Sequence, residues 1–114
     1  MINIDDFTKL DIRIGTVISA EKIPEGDKLL KLQVDLGDPA IDPILGTRQI
    51  MAGVAESFPD PEVLVGKQIP IIVNLEPRML RGYESQGMMV ATGDADGVAL
   101  LHPSKTVPNG SKLR

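Results

Sequence analysis

LKLQVDL, residues 30–36, decides the fold class. Leu30, Leu32, Val34 and Leu36 alternate with Lys31, Gln33 and Asp35, the period of two that belongs to a strand with one buried face and one wet face. On its N-terminal side, Pro24–Lys28 (PEGDK) has the composition of a turn. Before the turn, Asp11–Ile23 alternates again, with Ile12, Ile14 and Val17 on one side and Arg13 and Thr16 on the other. Gly15 inside that pattern predicts a bulge or sharp bend, as a long first strand coiling around a small barrel needs. Further back, residues 3–10 predict one helical turn capped by Asn3 or Asp5, with Ile4 and Phe7 facing inward.

On the C-terminal side, Gly37–Gly46 is a loop rich in Gly, Pro and Asp, longer than a hairpin needs. Arg48–Ala52 reads as a third strand that Gly53 ends or bends. Ser57–Gly66 predicts a short helix: Asp60 caps it, Pro61 suits its first position, Glu62 faces the positive end of its dipole, Val63 and Leu64 pack, and Gly66 stops it. Gln68–Leu75 is a fourth strand, which Pro70 places at an edge or a strand start. Met88–Thr92 is a fifth, Gly93–Gly97 a turn and Val98–Leu101 a further apolar run; Val107 and Leu113 in the tail remain apolar enough to pack. Strand, strand, strand, helix, strand, strand is the order of the OB fold. The predicted class is therefore all-β, a five-stranded Greek-key barrel with one short helix between strands 3 and 4 and a C-terminal extension. The 114 residues suffice for one such domain, residues 1–114.

Composition narrows the function. The chain has no cysteine, which removes disulfides, thiolate metal sites and a cysteine nucleophile. Its single histidine, His102, removes a histidine metal cluster and gives no Ser-His-Asp signal. No GxxxxGK[ST] occurs, and no GxGxxG follows a strand; no enzyme activity, cofactor or metal is expected. No apolar run reaches the roughly 20 residues of a membrane span. MINIDDFTKL does not read as a secretory leader, so a cytoplasmic protein is expected. The net charge of −4 disfavours indiscriminate polyanion binding. The acid is concentrated early, however: residues 1–47 carry nine acids against five bases, 48–91 five against four, and 92–114 two against three. A local basic face on an acidic body is compatible with that distribution. Only Phe7, Phe58 and Tyr83 are aromatic. The two phenylalanines read as core, which leaves Tyr83 as the one candidate stacking platform and disfavours a long single-strand channel.

Between strands four and five lies NLEPRMLRGYESQGMMVAT, residues 74–92. It sets Arg78, Arg81, an amide and a hydroxyl on a loop clamped by two strands, a common way to present a binding site. Arg78 and Arg81 can fork onto phosphates, or stay solvated. Asn74 can reach sugar or base edges, or brace a turn. Ser85 and Gly87 suit a close backbone approach. Met88 offers a soft apolar contact to an unstacked base, while Met89 or Val90 turns to the core.

Asn-Leu-x-Pro-Arg, then Leu-Arg-Gly, then Glu-Ser-x-Gly-Met resembles the signature of the tRNA-binding domain family. That family includes the C-terminal domains of methionyl-tRNA synthetases, free-standing structure-specific tRNA-binding proteins and, as a divergent branch, CsaA-type export chaperones. The resemblance implies tRNA recognition by shape, at the outer corner of the tRNA L. It places Asn74, Arg78, Arg81, Ser85 and Met88 on the tRNA-facing side, adds Lys28 or Lys31 in PEGDKLLK, and adds Arg48 in TRQIMAG. It further implies a homodimer built partly by the C-terminal extension, acting alone or with an aminoacyl-tRNA synthetase, most naturally the methionyl enzyme. Met79 departs from the family pattern, where a basic or small residue is usual, and the 37–46 loop is longer and more acidic. IDDFTKLDIRIGT at residues 4–16 and VPNGSKL at 107–113 resemble the chaperone branch, which binds unfolded peptides. The intact Glu84-Ser85-x-Gly87-Met88 block resembles the tRNA branch more.

Overall fold

Leu30, Leu32, Val34 and Leu36 have no exposed surface at all, as their alternation requires. They lie on or directly after β2 (Gly26–Asp35), an inner strand of an antiparallel sheet with β1 (Ile12–Ile23) and β3 (Thr47–Ala52) on either side. The computed structural model describes residues 1–24 and 26–114. β2 already begins at Gly26, so the expected turn Pro24–Lys28 is shorter than its composition suggested; Glu25 within it lies outside the described residues.

β1 makes the curvature. Its first half, Ile12–Thr16, pairs with β4 (Gln68–Ile72), and its second half, from Thr16 on, pairs with β2. The register shifts fall between Val17 and Ser19 and between Lys22 and Ile23, not at Gly15. Gly15 serves the bend differently. A Cβ there would stand 2.5 Å from Val34 Cγ1 and 2.9 Å from the Asp35 carbonyl oxygen, so its bare backbone lets the crossing strands meet. Pro70 sits inside the sheet rather than at its edge, opposite Ile14. The pair exchanges no backbone bonds: Ile14 N–H donates to the Ser111 carbonyl, and the Ile14 carbonyl accepts from Gly110 N–H. The missing proline donor is therefore not needed by β1. The tail, residues 110–113, thus runs along the free side of β1's first half, and Gln68 fixes its approach by donating from Nε2 to the Val107 carbonyl and accepting the Val107 N–H.

Further along come β5 (Arg78–Leu80), β6 (Tyr83–Ser85), β7 (Met88–Met89), β8 (Ala91–Asp94) and β9 (Gly97–Leu100). β7 joins β4 and completes a five-stranded sheet in the order β3-β2-β1-β4-β7. Residues 85–86 then bond to the outer edge of β3 and draw the two edges together: Gln86 N–H donates to the Gln49 carbonyl. The result is the expected all-β architecture of OB type. Its interior holds Val17, Leu32, Ile50, Ile69, Ile71 and Val73, with Leu64 closing one end. Leu64 comes from the expected helix, which is a single 3₁₀ turn, Pro61–Leu64, capped by the Asp60 side chain as read. So short a turn buries one side chain, and Val63 stays 52% exposed.

The N-terminal turn α1 (Ile4–Phe7) forms with Asn3 as its cap and Asp6 completing a capping box. Its apolar residues do not face inward: Ile4 is 70% exposed, and Phe7 is exposed rather than core. Phe58, by contrast, packs against the core as expected. One further reading changes. The predicted fifth strand divides into β7 and β8. Val98 and Leu100, on β9, pack against this chain's own core.

Candidate nucleic-acid interface

Residues 78–85 do not form an open loop. They form a two-stranded hairpin, in which Arg78 pairs with Ser85 and Leu80 with Tyr83. The two-residue connection is Arg81-Gly82, with φ of 53° and 83°, the doubly positive φ that a twisted hairpin favours. Gly82 accepts this freely; an arginine there adopts a conformation unfavourable by about 1 kcal/mol for an L-residue. One of the two arginines is therefore fixed at the tip of a tight turn.

A chain of side-chain bonds roots the hairpin in the barrel. Ser85 Oγ accepts the Met51 N–H at 3.0 Å and donates to the Gly87 carbonyl at 3.0 Å. Gln86 Oε1 accepts the Gln49 N–H, while Gln49 Nε2 donates to the Glu84 carbonyl, both at 2.9 Å. Arg48 crosses beneath: Nη1 donates to the carbonyls of Val73 (2.6 Å) and Gln86 (2.9 Å), and Nη2 to that of Ile44 (2.8 Å). One guanidinium thereby gathers the end of β4, the hairpin exit and the 37–46 loop. Asn74 is also engaged internally, accepting the Asp11 N–H at 2.8 Å and donating to the Lys9 carbonyl at 2.7 Å.

The residues singled out from the sequence thus divide by where their polar atoms go. Arg48, Asn74 and Ser85 spend them on backbone groups of the barrel. Arg78 and Arg81 are exposed and, among the described residues, in no ion pair. Met88 is 49% exposed beside Met89, which packs inward. Lys28 is exposed near the start of β2. Lys31 lies against the hairpin, its Nζ 5.3 Å from the centre of the Tyr83 ring and 2.8 Å from Glu21 Oε1. The hydrogen bond that Lys31 donates to Glu21 holds the ammonium's pKa above its ordinary value, against some desolvation. One face of Tyr83, the expected stacking platform, is thereby covered by a cation. His102 is an exposed surface residue: its Nδ1 lies 2.7 Å from the Gln68 carbonyl, which only accepts, so Nδ1 carries the proton.

Beside the hairpin a cleft of about 400 Å³ opens between Met51, Leu75, Leu80 and Met88, with Glu76 and Arg78 among its polar lining. Sequence reasoning missed Leu75, Glu76 and Leu80 as site residues, and Gln49 and Gln86 as its anchors. The one available signal was the alternation on β3, which sends Gln49 away from Ile50; the hairpin itself is what carries Glu76 and Leu80 to Met88.

An OB-type barrel with a rooted hairpin, two exposed arginines and an apolar cleft belongs to the class of folds that bind oligonucleotides and oligosaccharides. Known proteins place the chain more closely. The family described as "Putative tRNA binding domain" matches residues 12–112, and the chain belongs to that family. It is 52% identical to a methionine–tRNA ligase of Methanococcoides burtonii over 97% of its own length, and it spans only about 15% of the curated ligases it matches. Two of the solved structures that match the whole chain are the following. A MetRS-related protein of Pyrococcus horikoshii aligns with a TM-score of 0.87 at 37% identity over 98% of that protein. The chaperone CsaA of Bacillus anthracis aligns with 0.84 at 35% identity over 99%.

Proposed function

We propose that the chain binds folded tRNA at the outer corner of the L, through the hairpin and its cleft, as the tRNA-binding unit of a methionyl-tRNA synthetase or as an independent tRNA-binding protein. The observation that carries this is the rooted hairpin: it presents Arg78 and Arg81 in no ion pair among the described residues, at positions that the barrel fixes. Fixed donors suit a target whose phosphates are already at set spacing, and the scarcity of stacking aromatics gives a flexible strand little to hold. Arg78→Ala and Arg81→Ala should each weaken tRNA binding at unchanged melting temperature. Each should also lower the slope of log affinity against log salt by up to about one phosphate's worth. Both variants matching the parent across a salt series would move the site elsewhere. Unstructured RNA of equal length should compete poorly.

A second reading, binding of unfolded peptides, draws on the likeness to the Bacillus anthracis chaperone and on the exposed apolar side chains of Leu75, Met79 and Met88 around the cleft. Competition by an unfolded polypeptide as effective as that by tRNA would favour it.

The proposal includes a homodimer. Ile4, Phe7, Leu10 and Leu113 are exposed together around a hollow of about 540 Å³ between α1 and the tail. Exposed apolar surface of this kind marks an association site, and a two-fold interface would bury it. Light scattering at micromolar concentration should give twice the chain mass, and Phe7→Asp should shift it toward the monomer; a parent of monomer mass would sink the idea.

A further inference from the structure

We propose that the cleft beside the hairpin takes one unstacked guanine base of a bound RNA; this rests on the tRNA-binding reading. Its volume of about 400 Å³ falls within the roughly 300–1,000 Å³ of pockets that hold small ligands. Its walls are apolar and soft. Leu75 and Leu80 offer flat aliphatic contact, while Met51 and Met88 offer thioethers that sit well against an aromatic face. The Ser85 hydroxyl is fixed in both directions by Met51 and Gly87, so this part of the lining is set before any ligand arrives.

Two charges of opposite sign share this apolar cleft, and they decide among the bases. Glu76 and Arg78 both line it, both are exposed, and neither is in an ion pair among the described residues. Guanine complements the pair. Its N1–H and N2–H₂ donate to a carboxylate, while O6 and N7 accept a forked guanidinium. Adenine turns the bare acceptor N1 toward the carboxylate and a donor, N6–H₂, toward the guanidinium, so the carboxylate contact is lost and the guanidinium keeps only N7. An apolar peptide side chain would use the walls and leave both charges idle.

The test uses the whole chain with ¹³C-methyl methionine, whose five methyl signals report on place. Saturating tRNA should move the Met51 and Met88 methyls by ring current and leave Met1 unmoved. Guanosine 5′-monophosphate should move the same two methyls and saturate at least about fivefold earlier than adenosine 5′-monophosphate, the discrimination of one good bidentate contact. Glu76→Gln separates this from general electrostatics. Removing a negative charge strengthens any non-specific RNA complex, whereas replacing one of the two carboxylate acceptors by an amide donor weakens the tRNA complex and brings the two mononucleotides toward parity. Met51 and Met88 methyls unmoved in a tRNA complex, equal saturation by the two mononucleotides, or a Glu76→Gln variant that binds tRNA more tightly would each overturn the proposal. Failure of the parent to bind tRNA would instead sink the reading it rests on, and the mononucleotide titration would still judge the cleft. An apolar peptide that moves these methyls where guanosine 5′-monophosphate does not would replace the base with a polypeptide.

Discussion

Arg48→Ala should lower the unfolding free energy by about 2–4 kcal/mol and weaken tRNA binding, while leaving the salt slope of that binding at the parent value. The size follows from what the side chain holds. Three backbone carbonyls, those of Ile44, Val73 and Gln86, converge on one half-buried guanidinium, and hydrogen bonds to a charged group are stronger than neutral ones. Truncation leaves those acceptors to a site that closes poorly around the loss. The hairpin exit at Gln86 then loosens, and with it the cleft and Arg78. Arg48→Lys should recover only part, since a compact ammonium cannot span three carbonyls on separate segments. The salt slope distinguishes this from a direct contact. A residue on a phosphate releases a counterion, and its removal lowers the slope by about one; a residue that only holds the hairpin leaves the slope alone. Thermal melts and a salt series on both variants check it. An unchanged melting temperature with a slope lowered by about one would return Arg48 to the phosphate-contacting set.

Gly15→Ala should destabilise the barrel by about 2–3 kcal/mol without touching the site. The added methyl would meet Val34 Cγ1 at 2.5 Å, Leu36 Cδ2 at 2.8 Å and the Asp35 carbonyl oxygen at 2.9 Å. The two side chains can give way; the backbone oxygen belongs to the β1–β2 ladder and cannot move without breaking register. Val34→Ala, harmful alone because it leaves a hole in a fully buried core, should therefore cost less in the Gly15→Ala background. Chemical unfolding of the four proteins of this cycle measures the coupling. Single variants that simply add would mean that the strands part to admit the methyl, and that the close crossing at Gly15 is not what bends β1. Binding per folded molecule should be unchanged, since Gly15 lies on the barrel wall and not on the hairpin.

The fold was largely legible, because period-two alternation is a local consequence of which face of a strand is buried. Leu30 through Leu36 showed it plainly, and Asp60-Pro61 marked the connecting turn as clearly as caps can. Where the reading slipped, a distant partner was deciding. Pro70 reads as an edge residue until Ile14 is seen to bond the tail instead. Ile4 and Phe7 read as core because nothing local distinguishes an apolar residue that packs within the chain from one left on its surface. The hairpin at 78–85 has the sequence of a loop because each arm is three residues long, too short for a period to show.

The functional residues show the same division. Their types and order are properties of the sequence, and so is the fixed run from Asn74 to Met88 that resembles the family to which the chain belongs. Whether a polar side chain is free to meet a ligand depends on whether a backbone group from elsewhere already occupies it. Arg48, Arg78 and Arg81 are chemically the same residue. Only in the folded chain does the first meet carbonyls from Ile44, Val73 and Gln86, two of them 25 and 38 positions away, while the other two meet none among the described residues. Sequence alone determined the long strands of the barrel and which donors the chain carries, since burial periodicity and residue chemistry are local. Tertiary structure decided which donors remain unspent and which side chains share a cleft, since hydrogen bonding and proximity are set by segments that meet only when the barrel closes.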